Sequence, residues 1–382
     1  MDFALSKAQG ELQERTREAI DRVVRPVAAS VPKHVKLGAG EMRRIYQGLA
    51  PLGYVSSTIP REAGGAGLSL VDYGLLLEAL AAGPVVLGEV VPPRTVHFLG
   101  DAEQRRRWFP KLLAGEWVAT AAITEPQAGS DLRNLQTTAV LEGDHYRVNG
   151  RKKWIKLGGI ADLITLLVVA DPAQGAKGGT SRLILERSVS PWIAREIDTL
   201  GIRNLSFAEL ELNDVKVPRE NLVGTAGSGT EAFYRAMEGS RALIGLQALG
   251  IARHALGLAA GYVKSRHAFG RTLARMQLIQ STLADANAEL EAARLLCLRA
   301  LWLLDSGQRC PGEAAMAKLL GTEVAVRACN AAMETMGAAG FAAENEVERC
   351  LRDARMLTVI DGTSGIQRRI IGRVRLGLTA FA

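Results

Sequence analysis

From the N-terminus to about residue 115 the apolar positions keep a helical period: Leu5, Leu12, Thr16, Ala19, Ile20 and Val23 fall on one face ahead of Pro26. The stretch SLVDYGLLLEALAAG opens on Ser69, a good N-cap residue, and stops near Gly83 and Pro84. A further helix is predicted from Asp101 through DAEQRRRWFPKLLAG, with Pro110 breaking or re-capping it. Between them IPREAGGAG and VVPPRT read as loops from their Gly and Pro content.

Near residue 118 the period changes to two and β-branched residues become frequent. TTAVLEGDHYRVNGRKKWI predicts two alternating runs about a Gly-Asp turn, followed by an Asn-Gly turn; ADLITLLVVA, TSRLILERS and FAELELNDVKVP continue the pattern to about Pro218. Strands at this spacing, with no helix between them, predict a small antiparallel barrel or sandwich rather than a Rossmann sheet. From about Gly229 the helical period returns, with long segments expected at 229–266, 274–305 and 312–337 and a last helix at 364–378. The expected fold class is therefore α+β, with an all-helical domain at 1–117, a β domain at 118–226 and a four-helix bundle at 227–382.

Composition narrows the class. The 382 residues are 48% hydrophobic and 23% charged, with 40 glycines and 13 prolines scattered, so neither disorder nor a collagen-like repeat fits. The first residues carry Asp2, Glu11 and Glu14 and do not read as a secretory signal, and the longest strongly apolar run, 163–170, is far shorter than the ~20 residues of a membrane span. These features predict a cytoplasmic protein without a membrane segment. Cys297, Cys310, Cys329 and Cys350 form no Cys-x-x-Cys pair and have no histidine at ligand spacing, so they read as reduced thiols and no metal is expected. Forty-seven basic against 40 acidic residues give a net charge of +7, which could steer nucleic acid, an anionic cofactor or an acidic carrier protein. The densest basic stretches, 105–107 and 368–375, sit in helical patterns with no aromatic ladder, and read as solvated faces or subunit contacts rather than a nucleic-acid surface.

Common motifs fail on inspection. Gly38-Ala-Gly40 runs into Arg43 where a third glycine belongs, no Gly-Lys pair marks a phosphate loop, and Gly362-Thr-Ser364-Gly lacks nucleophile-elbow spacing. His34, His97, His145, His254 and His267 are isolated and read as surface or packing residues.

Three longer strings carry a resemblance. IPREAGGAGLSLVDYGLLLEALA, TEPQAGSD at 124–131 and LRDARMLTVIDGTSGIQ are similar to signatures of the acyl-CoA dehydrogenases, in the family's order and spacing. The resemblance covers essentially the whole chain and implies FAD as cofactor, an acyl-CoA or acyl-carrier-protein substrate, an electron-transferring flavoprotein or similar acceptor, and a homodimer or homotetramer. TEPQAGSD suits a flavin: Gly129 allows close backbone approach, Ile123 and Thr124 offer backbone groups, and Thr124 and Ser130 offer hydroxyls. Ser130 also matches a family contact to substrate or cofactor phosphates. Trp154 corresponds to the tryptophan packed beside the flavin. Two residues on, where the family has threonine or serine near flavin N5, the chain has Lys156; an ammonium there raises the flavin's potential or binds an anionic group, unless it turns away.

In the bundle, Arg266, Phe269 and Gln277 resemble residues that reach the FAD of a neighbouring subunit. The family's Gln-x-x-Gly-Gly cofactor loop appears as Glu334, Gly337 and Ala338, with a carboxylate in place of the amide. Ser240 and Arg241 match positions beside the acyl pocket. Gly362, Thr363 and Gly365 follow the catalytic position in the segment that closes over flavin and substrate. At that position the family's glutamate is Asp361, which the resemblance makes the α-proton acceptor, and which could also N-cap the last helix. The shorter side chain withdraws the carboxylate by roughly 1.5 Å. An aspartate base leaves open a nitroalkane-type oxidase, and the departures at 156, 334 and 361 leave open a flavin-binding or nucleic-acid-binding protein without dehydrogenase chemistry.

Overall fold

The computed structural model describes residues 4–33, 35–173 and 175–378, so His34 lies outside the described residues. The N-terminal helices are α1 (Lys7–Ala19), α2 (Arg25–Ala29), α3 (Ala39–Leu49), α4 (Leu70–Leu80), α5 (Val91–Leu99) and α6 (Ala102–Leu113). Ser6 caps α1 reciprocally with Gln9, Ser69 caps α4 by accepting from the Asp72 amide, and Asp101 forms a capping box with Gln104. Every residue of α4 from Tyr73 to Leu80 is buried, because the helix is wedged between α1 and the C-terminal helices.

Two sequence expectations fail here for the same reason. VVPPRT is not a loop: it is the first turn of α5, where the missing N–H groups of Pro92 and Pro93 cost nothing because first-turn amides have no intrahelical partner. Pro110 does not break α6, which runs on to Leu113; burial of Trp108, Phe109 and Leu112 outweighs the lost hydrogen bond.

The middle of the chain forms β1 (Ala119–Ala122), β2 (Thr138–Glu142), β3 (His145–Lys156), β4 (Leu163–Val169), β5 (Thr180–Glu186), β6 (Ile193–Glu196), β7 (Phe207–Pro218) and β8 (Leu222–Val223). They pair in the order β6-β7-β3-β2-β4-β5-β8 with β1 beside β4. Most pairings are antiparallel, but β1 and β2 both run parallel to β4, so the sheet is mixed rather than purely antiparallel. Asn149-Gly150 is not a turn. It is a register shift inside β3, where Asn149 exchanges side-chain hydrogen bonds with Asp214 of β7 and a Cβ on Gly150 would lie 2.6 Å from the Thr137 hydroxyl.

The chain then enters α7 (Gly229–Ser265), a small hairpin of β9 (His267–Ala268) and β10 (Arg271–Thr272), α8 (Gln277–Asp305), α9 (Pro311–Met336), the short α10 (Ala338–Phe341), α11 (Glu346–Leu357) and α12 (Ser364–Leu376). Helix α7 is apolar and long enough to cross a membrane, yet 72% of its most apolar window is buried inside the protein. Glycines let α7 and α9 touch: a Cβ on Gly245 would lie 2.8 Å from the Ala317 carbonyl, and one on Gly321 2.8 Å from the Gly245 Cα. This close crossing brings the residues around Arg241 beside Lys318. The sequence reading missed α11, although Val347, Cys350, Ala354 and Leu357, spaced three and four apart, are its buried face.

Candidate active site

The site lies where the end of β3, the loop before α5, the middle of α7, one turn of α9 and the α11–α12 turn converge. Strand β3 shifts register between Lys152 and Ile155, and Trp154 there adopts a left-handed φ of 64°. The kink turns Trp154 outward, 51% exposed, and Lys156 inward. The Lys156 Nζ lies 2.9 Å from where a Gly88 Cβ would stand, with the Gln247 side chain behind it. Lys156 thus does not turn away to solvent. Burial lowers its pKa, against the opposing pull of Asp361 and Glu89.

Arg241 is 8% exposed, and its Nε has no hydrogen-bond acceptor among the described residues. Burial lowers its pKa also, opposed chiefly by Asp361 and Glu238. Glu238 is already engaged by Arg309 and the Cys310 amide. Ser240, one residue earlier, donates its hydroxyl to Glu89 at 2.6 Å, and Glu89 is ion-paired with Arg94. The Ser240 proton is thus engaged by Glu89, while its oxygen keeps acceptor capacity.

Asp361 sits in the turn between α11 and α12 with a left-handed φ of 51°. Burial and the nearby Glu89 push its carboxyl up to about 6, while Lys318, Arg241 and Lys156 pull the other way. The cap of α12 is Thr363, whose hydroxyl accepts from the Ile366 amide, and not Asp361 as one sequence reading had it. The carboxylate is thereby left for other work. Gly362 has φ 94° and its carbonyl is held by Lys318 and Gln367.

TEPQAGSD forms a loop around a buried ion pair that the sequence reading overlooked. Glu125 accepts from Lys152 Nζ at 2.8 Å and from the amides of Gln136 and Thr137 at 2.7 and 3.0 Å. Lys152 also donates to the Ile123 carbonyl, and the Thr124 carbonyl accepts from the Lys153 amide. Ser130 is exposed with no hydrogen bond to a described residue, and a Cβ on Gly129 would meet nothing within 4 Å. An exposed indole, a free hydroxyl and a bare glycine beside it suit one flat, polar-edged group such as a flavin.

The other cofactor candidates lie elsewhere. Arg241 and Arg266 are 25 residues apart along α7, about 38 Å at ~1.5 Å per residue. Arg266, Gln277 and Phe269, 91% exposed with φ 51°, surround the β9–β10 hairpin at the far end of that helix. They cannot share a ligand with Asp361 of the same chain. Glu334, exposed, accepts from the Asn330 amide; Gly337, with φ 60°, and Ala338 sit at the junction of α9 and α10, also open to solvent. Thr363 and Gly365 belong to the first turn of α12 beside Asp361. A groove of about 520 Å³, lined by Gln13, Arg17, Glu78 and Arg294 among others, contains none of these residues.

With this arrangement in view, comparison with known proteins is decisive. Residues 6–116, 120–215 and 227–376 match, in that order, the N-terminal, middle and C-terminal domains of acyl-CoA dehydrogenases. The chain belongs to the acyl-CoA dehydrogenase family. It is 33% identical over 378 residues to the short-chain specific acyl-CoA dehydrogenase of Clostridium acetobutylicum, covering 97% of this chain and 98% of that one. Among solved structures it resembles glutaryl-coenzyme A dehydrogenase in complex with glutaryl-CoA (TM-score 0.92, 30% identity, 99% and 97% coverage). It also resembles a prolyl acyl carrier protein oxidase (TM-score 0.89, 29% identity, 98% and 100% coverage). This family member is thus an FAD-dependent oxidoreductase of mixed α and β structure.

Glu89, Lys318, Gln247 and the Glu125–Lys152 pair are the site residues that sequence reasoning missed. Lys318 had a signal, a lone cation in the apolar run AAMAKLLG, whereas Glu89 and Gln247 are joined to the site only by the fold.

Proposed function

We propose that this acyl-CoA dehydrogenase family member oxidises an acyl thioester to the α,β-unsaturated thioester, with Asp361 taking the α-proton. What carries the reading is Asp361 itself: a carboxyl within the electrostatic reach of Lys318 and Arg241 of the bundle and Lys156 of the β domain, raised to about 6 and so ionised at neutral pH while still basic enough to accept a carbon acid's proton. FAD, held by the residues named below, would supply the oxidising power for loss of the β-hydrogen with its electron pair. The α-proton stays on the Asp361 carboxylate.

Around that step the chain's own groups have distinct tasks. Lys318 fixes the Asp361 turn by donating to the carbonyls of Thr358 and Gly362. Arg241 and Lys156 hold the field that keeps the carboxylate ionised. The Asp361 amide has no backbone partner among the described residues and is suited to the thioester oxygen, where negative charge develops. Ser130, Thr124, Ile123 and Trp154 would hold the flavin of their own chain, and Arg266, Phe269 and Gln277 that of a second copy, which makes an oligomer part of the reading. The acyl carrier is coenzyme A or a carrier protein, and electrons leave through an electron-transferring flavoprotein or similar acceptor. Four buried, unpaired cysteines accord with a reducing cytoplasm. The test is anaerobic mixing of the flavin-loaded protein with acyl-CoA and acyl-carrier thioesters. Bleaching of the flavin by at least one of them is expected, and a flavin that no thioester reduces refutes the assignment.

A further inference from the structure

Three hydrogen-bond donors in this region have no acceptor among the described residues. Arg241 Nε and Gln247 Nε2 are buried without a partner among the described residues, and Lys156 Nζ makes no hydrogen bond or ion pair to any described residue. Ser240, Ile244 and Gln247, spaced four and three along α7, share one face of that helix, with Arg241 at its edge. An unpartnered buried donor costs about 1–3 kcal/mol. Cations buried without counter-ions cost more. The local charge does not cancel. Glu89 is matched by Arg94 and Glu238 by Arg309, which leaves Asp361 and, beside Lys318, Glu323 against Lys156, Arg241 and Lys318.

A plain hydrocarbon acyl chain would offer none of these groups an acceptor. A positively charged acyl group, such as an amino acyl thioester, would add charge of the wrong sign.

Resting on the dehydrogenase reading above, we infer that the acyl group is short and carries its own carboxylate, a dicarboxylyl thioester of four or five carbons whose free acid is bound by Lys156, Arg241 and the Gln247 amide. The same cations that tune Asp361 then select the substrate. Because they lie near the base, the free acid stands only a few bonds from the α-carbon. Binding would offset the excess of positive charge among these side chains.

The test uses pantetheine thioethers, the arm shared by coenzyme A and carrier proteins, which lack the thioester carbonyl and are not oxidised. Equilibrium binding to the flavin-loaded protein is measured by calorimetry for the 4-carboxybutyl, 4-carbamoylbutyl and pentyl thioethers. The carboxylate is expected to bind at least about tenfold tighter than the amide and the pentyl compound, as suits charge-assisted hydrogen bonds. Lys156→Met should bring that ratio below about three without weakening the pentyl compound, and Lys156→Arg should retain it. Equal or weaker binding of the carboxylate overturns the inference. So does a Lys156→Met protein whose flavin spectrum shifts while its preference is unchanged, because Lys156 would then serve the cofactor. A carboxylate preference in a protein whose flavin no thioester bleaches would leave this inference standing and sink the dehydrogenase reading. Bleaching by butyryl thioesters without any such preference would do the reverse.

Discussion

The Lys318 ammonium donates to the Gly362 carbonyl at 2.8 Å, and equally to that of Thr358, so that both ends of the turn bearing Asp361 are tied to α9. The same charge also lowers the Asp361 pKa from across the turn. Replacing Lys318 with Met should therefore act on the base in two ways. Flavin reduction slows because the turn loosens, and the acidic limb of its pH profile moves upward from about 6. Anaerobic stopped-flow between pH 5 and 9 reads both, and a slower reaction with an unmoved limb would assign Lys318 to scaffolding alone.

Asp361 also makes a stability prediction of definite sign. Its folded pKa is raised from 3.8 to about 6, so the folded state is penalised as pH rises through that interval, and the penalty is complete above it. The full shift corresponds to about 3 kcal/mol, which partial exposure screens to roughly 1–2 kcal/mol. Asp361→Asn should melt higher than the parent at pH 8, by a few degrees, with the gap closing toward pH 4. A variant no more stable at either pH would mean that the carboxyl is not desolvated.

Glu125→Ala strands the buried Lys152 ammonium, whose pKa is already lowered to about 8 by burial. Removing one partner of such a pair costs about 3–5 kcal/mol. It also frees the amides of Gln136 and Thr137, so the 124–131 loop should lose its shape and flavin occupancy should fall with the melting temperature. The double variant Glu125→Leu, Lys152→Met should recover most of the stability but not the flavin.

Much of this was written in the chain. The order of helices, strands and helices follows from the switch of hydrophobic period from 3.6 to 2 and back, and the starts of α4 and α6 from Ser69 and Asp101. Asp361 was legible through the string around it. Pro110 and Pro92-Pro93 misled because tertiary burial and first-turn geometry override local propensity. The polar wall of Lys156, Glu89, Gln247 and Lys318 was out of reach, since its members lie up to 229 positions apart and meet only because Gly245 and Gly321 let two helices touch. The direction of the Lys156 side chain depends on a register shift in β3 that no pattern of alternation reveals.

Arg266 is exposed and sits far along α7 from Asp361. Arg266→Ala should leave the unfolding free energy of the flavin-free protein within about 0.5 kcal/mol of the parent, as surface changes do, yet weaken flavin retention several-fold. Flavin content after gel filtration, together with oligomeric mass by light scattering, reads this directly; undiminished flavin would remove Arg266 from any cofactor site.

The most direct measurement is the single-turnover rate of flavin reduction in Asp361→Asn, with the Asp361→Glu protein alongside, under anaerobic conditions with the best acyl thioester. A positioned base contributes about 10²–10⁴-fold, so the asparagine protein should slow by that factor while binding substrate and flavin, and the glutamate protein should retain much of the rate. An asparagine protein that reduces its flavin as fast as the parent would show that the proton leaves to some other group.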